Sequence, residues 1–117
     1  RASVDKGDVR DRAPEAAFDL VTLHNNIYYF AVEERPALLR HLCGFLAPGG
    51  RLLLTTGCAG GGPTMQALDI WSANTEGCGR LPEVDEMESQ LREAGFSDVR
   101  SRRLIPGESY FAFQGRS

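Results

Sequence analysis

Phe18-Asp19-Leu20-Val21-Thr22-Leu23-His24-Asn25-Asn26-Ile27-Tyr28-Tyr29-Phe30 is the stretch on which the reading of this chain turns. Its first half is a short apolar run bounded by polar residues, the pattern of a buried strand rather than of a helix. Its second half changes abruptly to His-Asn-Asn followed by aromatics. Hydrogen-bonding side chains and stacking surfaces just past the carboxyl end of a buried strand suit a small-molecule crevice, because ligands bind there in open α/β sheets. The same run also fits an ordinary strand followed by a polar loop whose aromatics pack on the core.

Downstream, Val32 to Ala47 reads as a helix starting close to Glu34. Glu33 and Glu34 suit the positive end of the helix dipole, and Pro36 is tolerated only in a first turn. Leu38, Leu39, Leu42, Phe45 and Leu46 recur at helical spacing on one apolar face, and Pro48-Gly49-Gly50 should end it. His41 near its end reads as a surface residue. Arg51-Leu52-Leu53-Leu54-Thr55-Thr56 then reads as a strand covered on both faces. Strand, helix and strand together predict a parallel pair with a right-handed crossover. Gly57 to Pro63 reads as a flexible loop beside a ligand pocket, with no GK[ST] to make it a phosphate cradle.

Met65 to Thr75 is a further predicted helix, in which Trp71 reads first as core and alternatively as the wall of a substrate pocket. Pro82 to Ala94 is the clearest helix, with Val84, Met87, Leu91 and Ala94 on one face and Gly95 at the cap position. Phe96 to Ile105 and Ser109 to Gly115 are short alternating runs joined through Pro106-Gly107, a turn signal that makes them antiparallel. Upstream, Gly7-Asp8-Val9 reads as a loop leaving a strand end, with Asp8 its acidic group or simply a turn residue.

Composition narrows the function classes. The 117 residues are read as one domain, 1–117, with 42% hydrophobic and 25% charged residues, ordinary for a globular protein. A net charge of −3 gives no basic footprint for nucleic acid, and Arg100, Arg102 and Arg103 read as a solvated strand face. Cys43, Cys58 and Cys78 are an odd count without a CxxC pair, so neither a zinc site nor a disulfide framework is expected, and a cytoplasmic location is. No apolar run approaches the ~20 residues of a membrane span, so no membrane partner is expected.

The order of elements resembles the carboxyl-terminal half of class I S-adenosylmethionine-dependent methyltransferases. Four local features carry the resemblance: Gly7-Asp8-Val9 as the turn after the third strand, Phe18-Asp19-Leu20-Val21 as the opening of the fourth, Leu46 to Leu54 as the junction into the fifth, and Leu91-Arg92-Glu93-Ala94-Gly95-Phe96 as the helix end before the sixth. The implied fold class is α/β: a partial Rossmann-like methyltransferase fold, with parallel strands, flanking helices and a C-terminal antiparallel hairpin whose last strand inserts between the fifth and sixth. The implied cofactor is S-adenosylmethionine and the implied partner a small-molecule methyl acceptor.

The resemblance also implies residue roles. Asp8 would accept from the adenine amino group, with the Val9 backbone nearby. His24 would stand near the methionine end of the cofactor, and Asn25 and Asn26 would line the same mouth. Tyr28, Tyr29 and Phe30 would face the substrate, and Trp71 would close the pocket. If the acceptor needs deprotonation, His24 is the candidate catalytic base, since imidazoles titrate near neutrality. The family's glycine-rich loop after a first strand is missing, as is the acidic residue ending its second strand. The chain alone is therefore expected to bind the cofactor poorly. A non-catalytic module that dimerises through an exposed sheet edge is the alternative.

Overall fold

The computed structural model describes residues 2–117. Its strands are β1 (Phe18–His24), β2 (Leu46–Gly57), β3 (Ser97–Arg103) and β4 (Tyr110–Arg116), and its helices α1 (Arg35–Cys43), α2 (Pro63–Ala73) and α3 (Val84–Glu93). The strands form one sheet in the order β1-β2-β4-β3. β1 and β2 are parallel, with Val21 opposite Leu52, Leu23 opposite Leu54 and His24 opposite Thr55. β4 runs antiparallel to β3, as the Pro106-Gly107 turn predicts, and is inserted antiparallel between β2 and β3, as the resemblance implies.

The core lies on one face of this sheet. Leu52 and Leu54 of β2 and Phe113 of β4 point to it, and α1 and α3 cover it with Leu38, Leu39, Leu42, Met87 and Leu91, all buried. α3 has the predicted amphipathic face, and Gly95 follows it at φ +104, a conformation that costs glycine nothing.

Four expectations need correction. α1 ends at Cys43, not Ala47: Gly44 is a poor helix former, and Phe45 and Leu46 leave the helix yet stay buried. Pro48-Gly49-Gly50 lies inside β2 rather than stopping α1. There the register jumps from Phe18 opposite Leu46 to Leu20 opposite Arg51, and Gly49 takes φ +80. β1 is not the buried strand expected: Phe18 and Leu20 are 47% and 55% exposed, and the outer edge of β1 has no partner strand among the described residues.

The loop after β2 is pinned rather than loose. The Cys58 amide donates to the Ser109 carbonyl (2.7 Å), Ser109 Oγ donates to the Cys58 carbonyl (2.6 Å), and the Ala59 amide donates to the Pro82 carbonyl (2.9 Å). Gly61 is required by close approach, since a Cβ there would stand 2.1 Å from Ser109 Oγ.

All three cysteines are free thiols. Cys58 is fully buried, and desolvation pushes its thiol up to about 12. Cys58 is expected to resist alkylation at neutral pH until the chain is unfolded, as followed by mass spectrometry. Rapid modification of the native protein would contradict this packing. No helix among the described residues is long and apolar enough to cross a membrane.

Candidate functional site

The carboxyl ends of the two parallel strands lie side by side because His24 pairs with Thr55 in the register. Here β1 ends and the chain turns sharply. Asn25 takes φ 56, a left-handed conformation that asparagine tolerates better than most residues, and its amide donates to the Thr55 carbonyl at 2.8 Å. The antiparallel β4 begins beside the end of β2, and this brings Tyr110 to the same place.

The side chains join in a line. His24 Nδ1 is 2.8 Å from Thr55 Oγ1, Thr55 Oγ1 is 3.3 Å from the Tyr110 hydroxyl, and that hydroxyl donates to Asn25 Oδ1 at 2.8 Å. Thr55 is buried, whereas His24 and Asn25 are exposed. Thr55 and Tyr110 were not among the residues singled out from the sequence. The one available signal was Thr55 at the end of the second parallel strand. Tyr110 needs the register of β4.

Next to this line stands an aromatic group. Tyr28 stacks on Tyr29 (centroids 5.0 Å apart), and Tyr29 meets Trp71 of α2 edge to face (6.1 Å). Tyr28 is buried, and burial raises its phenol, with the nearby Tyr29 and Tyr110 adding to the shift. Tyr29 and Trp71 are half exposed. The core reading of Trp71 is thereby overturned: α2 turns Ser72 inward and leaves Ile70 and Trp71 to solvent. Asn26 contributes Oδ1, buried and without a hydrogen-bond partner.

Asp8 and Val9 lie on the preceding turn. Asp8 caps a short 3-10 turn (Val9–Asp11) by accepting from the Arg10 amide, and it also grips the Arg10 guanidinium at 2.6 Å. Arg10 in turn lies over the Phe30 ring, 5.0 Å from its centroid, which ties the Asp8 turn to the end of the aromatic loop. The Val9 carbonyl accepts from His41 Nε2 at 2.9 Å. His41 is accordingly half-buried against Val9 and Phe45 rather than a free surface residue. Arg100, Arg102 and Arg103 are exposed on β3.

The hydrogen bonds from Arg10 hold the Asp8 carboxyl at about 2, below its ordinary 3.8. A lowered folded-state value stabilises the fold above the unfolded value, and this contribution is lost as pH falls from 3.8 towards 2. In an NMR titration Asp8 is expected to change charge near 2, and Arg10→Gln is expected to move that midpoint upward. A midpoint at the ordinary value in the unaltered protein would show that the clasp does not persist in solution.

A parallel pair joined through α1, a reversed strand inserted at β4, and polar side chains gathered at the carboxyl ends of the parallel strands define a Rossmann-like α/β protein of the methyltransferase kind. A family model described as a methyltransferase domain matches residues 2–101, and the chain belongs to that family.

Over 102 residues it is 29% identical to demethylspheroidene O-methyltransferase of Rhodobacter capsulatus, an alignment covering 85% of this chain and 26% of that protein. The solved structure of PigF with SAH superposes at a TM-score of 0.81, with 22% identity over 95% of this chain and 34% of the other. Human N-acetylserotonin methyltransferase in complex with SAM superposes at 0.79, with 22% identity over 96% of this chain and 32% of the other. The chain thus spans from 26% to 34% of the length of these three proteins.

Proposed function

We propose that this chain is the carboxyl-terminal part of an S-adenosylmethionine-dependent methyltransferase that acts on a hydroxyl of a small-molecule acceptor. The observation that carries the reading is the exposed His24 at the tip of β1, held through Nδ1 by Thr55 while no other protein group among the described residues engages its ring by hydrogen bonding. S-adenosylmethionine, when bound, supplies a methyl group already activated as an electrophile.

The residues present fit that cofactor at Asp8, an ionised acceptor suited to an adenine amino group. The buried, partnerless Asn26 Oδ1 suits a donor on the methyl acceptor that the protein itself does not supply. Val9, His24 and Asn25 belong to the same cofactor side. Asn26, Tyr28, Tyr29 and Trp71 belong to the acceptor side, where Tyr29 and Trp71 offer exposed ring surface to an apolar acceptor. The protein's remaining work is to align the acceptor oxygen and take its proton. Three free thiols favour a cytoplasmic location.

Calorimetric titration with S-adenosylhomocysteine tests the reading. The 117-residue chain is expected to give no saturable heat, and a longer polypeptide including the preceding coding sequence is expected to bind, more weakly with Asp8→Ala. Saturable binding by the short chain would overturn the carboxyl-terminal-part reading. Absence of binding by the longer one would overturn dependence on this cofactor.

A second reading, a non-catalytic module that pairs with another copy of itself, is favoured by the open edge of β1 and the exposed Phe18 and Leu20. Sedimentation velocity decides it: a concentration-dependent dimer that Leu20→Glu abolishes supports pairing, and a monomer throughout rejects it.

A further inference from the structure

We propose that Thr55 and Tyr110 are positioning residues that fix the neutral His24 ring with its proton on Nδ1, leaving Nε2 as a bare acceptor towards solvent. The inference rests on the reading of His24 as the group that takes the acceptor's proton. It follows from counting protons along the line of side chains at the strand tips.

An amide oxygen only accepts, so the 2.8 Å contact between Tyr110 and Asn25 Oδ1 uses the single phenolic proton. That one proton cannot also serve the 3.3 Å contact with Thr55 Oγ1, so with the shorter contact holding it the phenol oxygen accepts there and the Thr55 hydroxyl donates. Thr55 has no second proton to offer. Its oxygen therefore accepts at the 2.8 Å contact with His24, and Nδ1 must carry the hydrogen. Every donor in the line points the same way, from His24 through Thr55 and Tyr110 to Asn25.

The backbone holds the terminal acceptor in place. Asn25 sits at φ 56 with its amide donating to the Thr55 carbonyl, so the same residue that turns the chain also anchors the line. The direction matters for chemistry. A ring with its proton on Nε2 would present a donor to an incoming hydroxyl and could not take its proton. A ring with its proton on Nδ1 presents a lone pair.

Cutting the line at Tyr110 or at Asn25 frees one hydroxyl to reverse. With Phe at position 110 the Thr55 hydroxyl loses its acceptor and can donate to Nδ1, which moves the ring proton to Nε2. The second histidine provides an internal standard of opposite sense, because a carbonyl only accepts and His41 Nε2 must therefore donate to Val9.

The test is two-bond proton–nitrogen correlation NMR on protein labelled with nitrogen-15 in histidine, at mildly alkaline pH, with the two rings assigned through His24→Gln. The expected result is a protonated Nδ1 for His24 and a protonated Nε2 for His41. Tyr110→Phe and Asn25→Gly are each expected to shift His24 towards the Nε2-protonated form without changing His41. Asn25→Asp, which keeps an oxygen acceptor, is expected to retain the original His24 pattern. An unaltered protein with His24 protonated on Nε2 would overturn the proposal, as would no response to either cutting variant while the His41 signal reports an intact fold. The measurement needs no methyl transfer, so a correct ring pattern in a protein whose longer form fails to transfer methyl groups would reject the role of His24 as base and leave the inference standing.

Discussion

Arg35→Ala is expected to destabilise the fold by about 3–5 kcal/mol, the scale of two lost charge-assisted hydrogen bonds together with the space vacated. Arg35 is the largest fully buried side chain, at 0% exposure. Its Nε donates to the Phe30 carbonyl at 3.1 Å and its Nη2 to the Arg80 carbonyl at 2.6 Å. The guanidinium therefore clasps the end of the aromatic loop to the segment that leads into α3, with α1 as the base of the clasp. Both carbonyls would lose a charged donor, and bonds of that kind contribute about 1.5–3 kcal/mol each. The space left behind adds a cavity cost.

Among the described residues no carboxylate pairs with Arg35, and its Nη1 has no hydrogen-bond partner. Burial accordingly lowers its pKa, while the charge of Glu86 opposes that shift. Glu86 is instead paired with the Arg80 guanidinium, at 2.6 Å. Lysine cannot replace the fork, because one ammonium does not reach two carbonyls in fixed directions. Arg35→Lys should therefore recover little, and Arg35→Met should recover only the packing part. A loss of 3 kcal/mol lowers the melting temperature of a domain this size by roughly 10 °C or more. Circular dichroism melts would show it, and an alanine variant melting within a degree or two of the parent would dismiss the clasp.

This residue also marks where sequence reasoning stops. The strands and the parallel pair were legible because β1, the three leucines of β2 and the Pro106-Gly107 turn are local patterns whose period or chemistry states the element. The family resemblance followed from their order. The end of α1 was not legible, because Phe45 and Leu46 keep helical spacing and are buried whichever element holds them. Trp71 was misjudged because α2 is largely exposed, and an apolar residue on such a helix need not face the core.

Arg35 gave no sign at all, since arginine is among the residues least often buried. The candidate site divided in the same way. His24 and the asparagines are contiguous with β1 and could be picked out, but Thr55 and Tyr110 meet only through the register of β4 on β2, which places Phe113 opposite Leu54. Contacts between residues 55 positions apart are set by packing that no local pattern records.

His24→Ala, made in the longer catalytic polypeptide proposed above, is expected to lower kcat for a hydroxyl acceptor by about 10²–10⁴-fold, the usual contribution of a positioned general base. A hydroxyl acceptor would have to lose its proton on receiving a methyl group from the cofactor, and His24 is the exposed ring at the strand tips that would take it. The KM for the acceptor should change far less, because the aromatic surface of Tyr29 and Trp71 is untouched. Trp71→Ala should do the reverse, raising KM with a smaller effect on kcat. The two variants together separate proton transfer from acceptor binding.

The acceptor's own acidity supplies the decisive comparison. An acceptor already ionised at the assay pH needs no base, so the deficit of His24→Ala should shrink along a series of increasingly acidic phenols. Tyr110→Phe should fall between the parent and His24→Ala, because it leaves the ring in place and alters only where its proton resides. A His24→Ala deficit that stays constant across the phenol series would mean that the ring aligns the acceptor rather than taking its proton. Full activity in His24→Ala would remove the residue from the mechanism altogether.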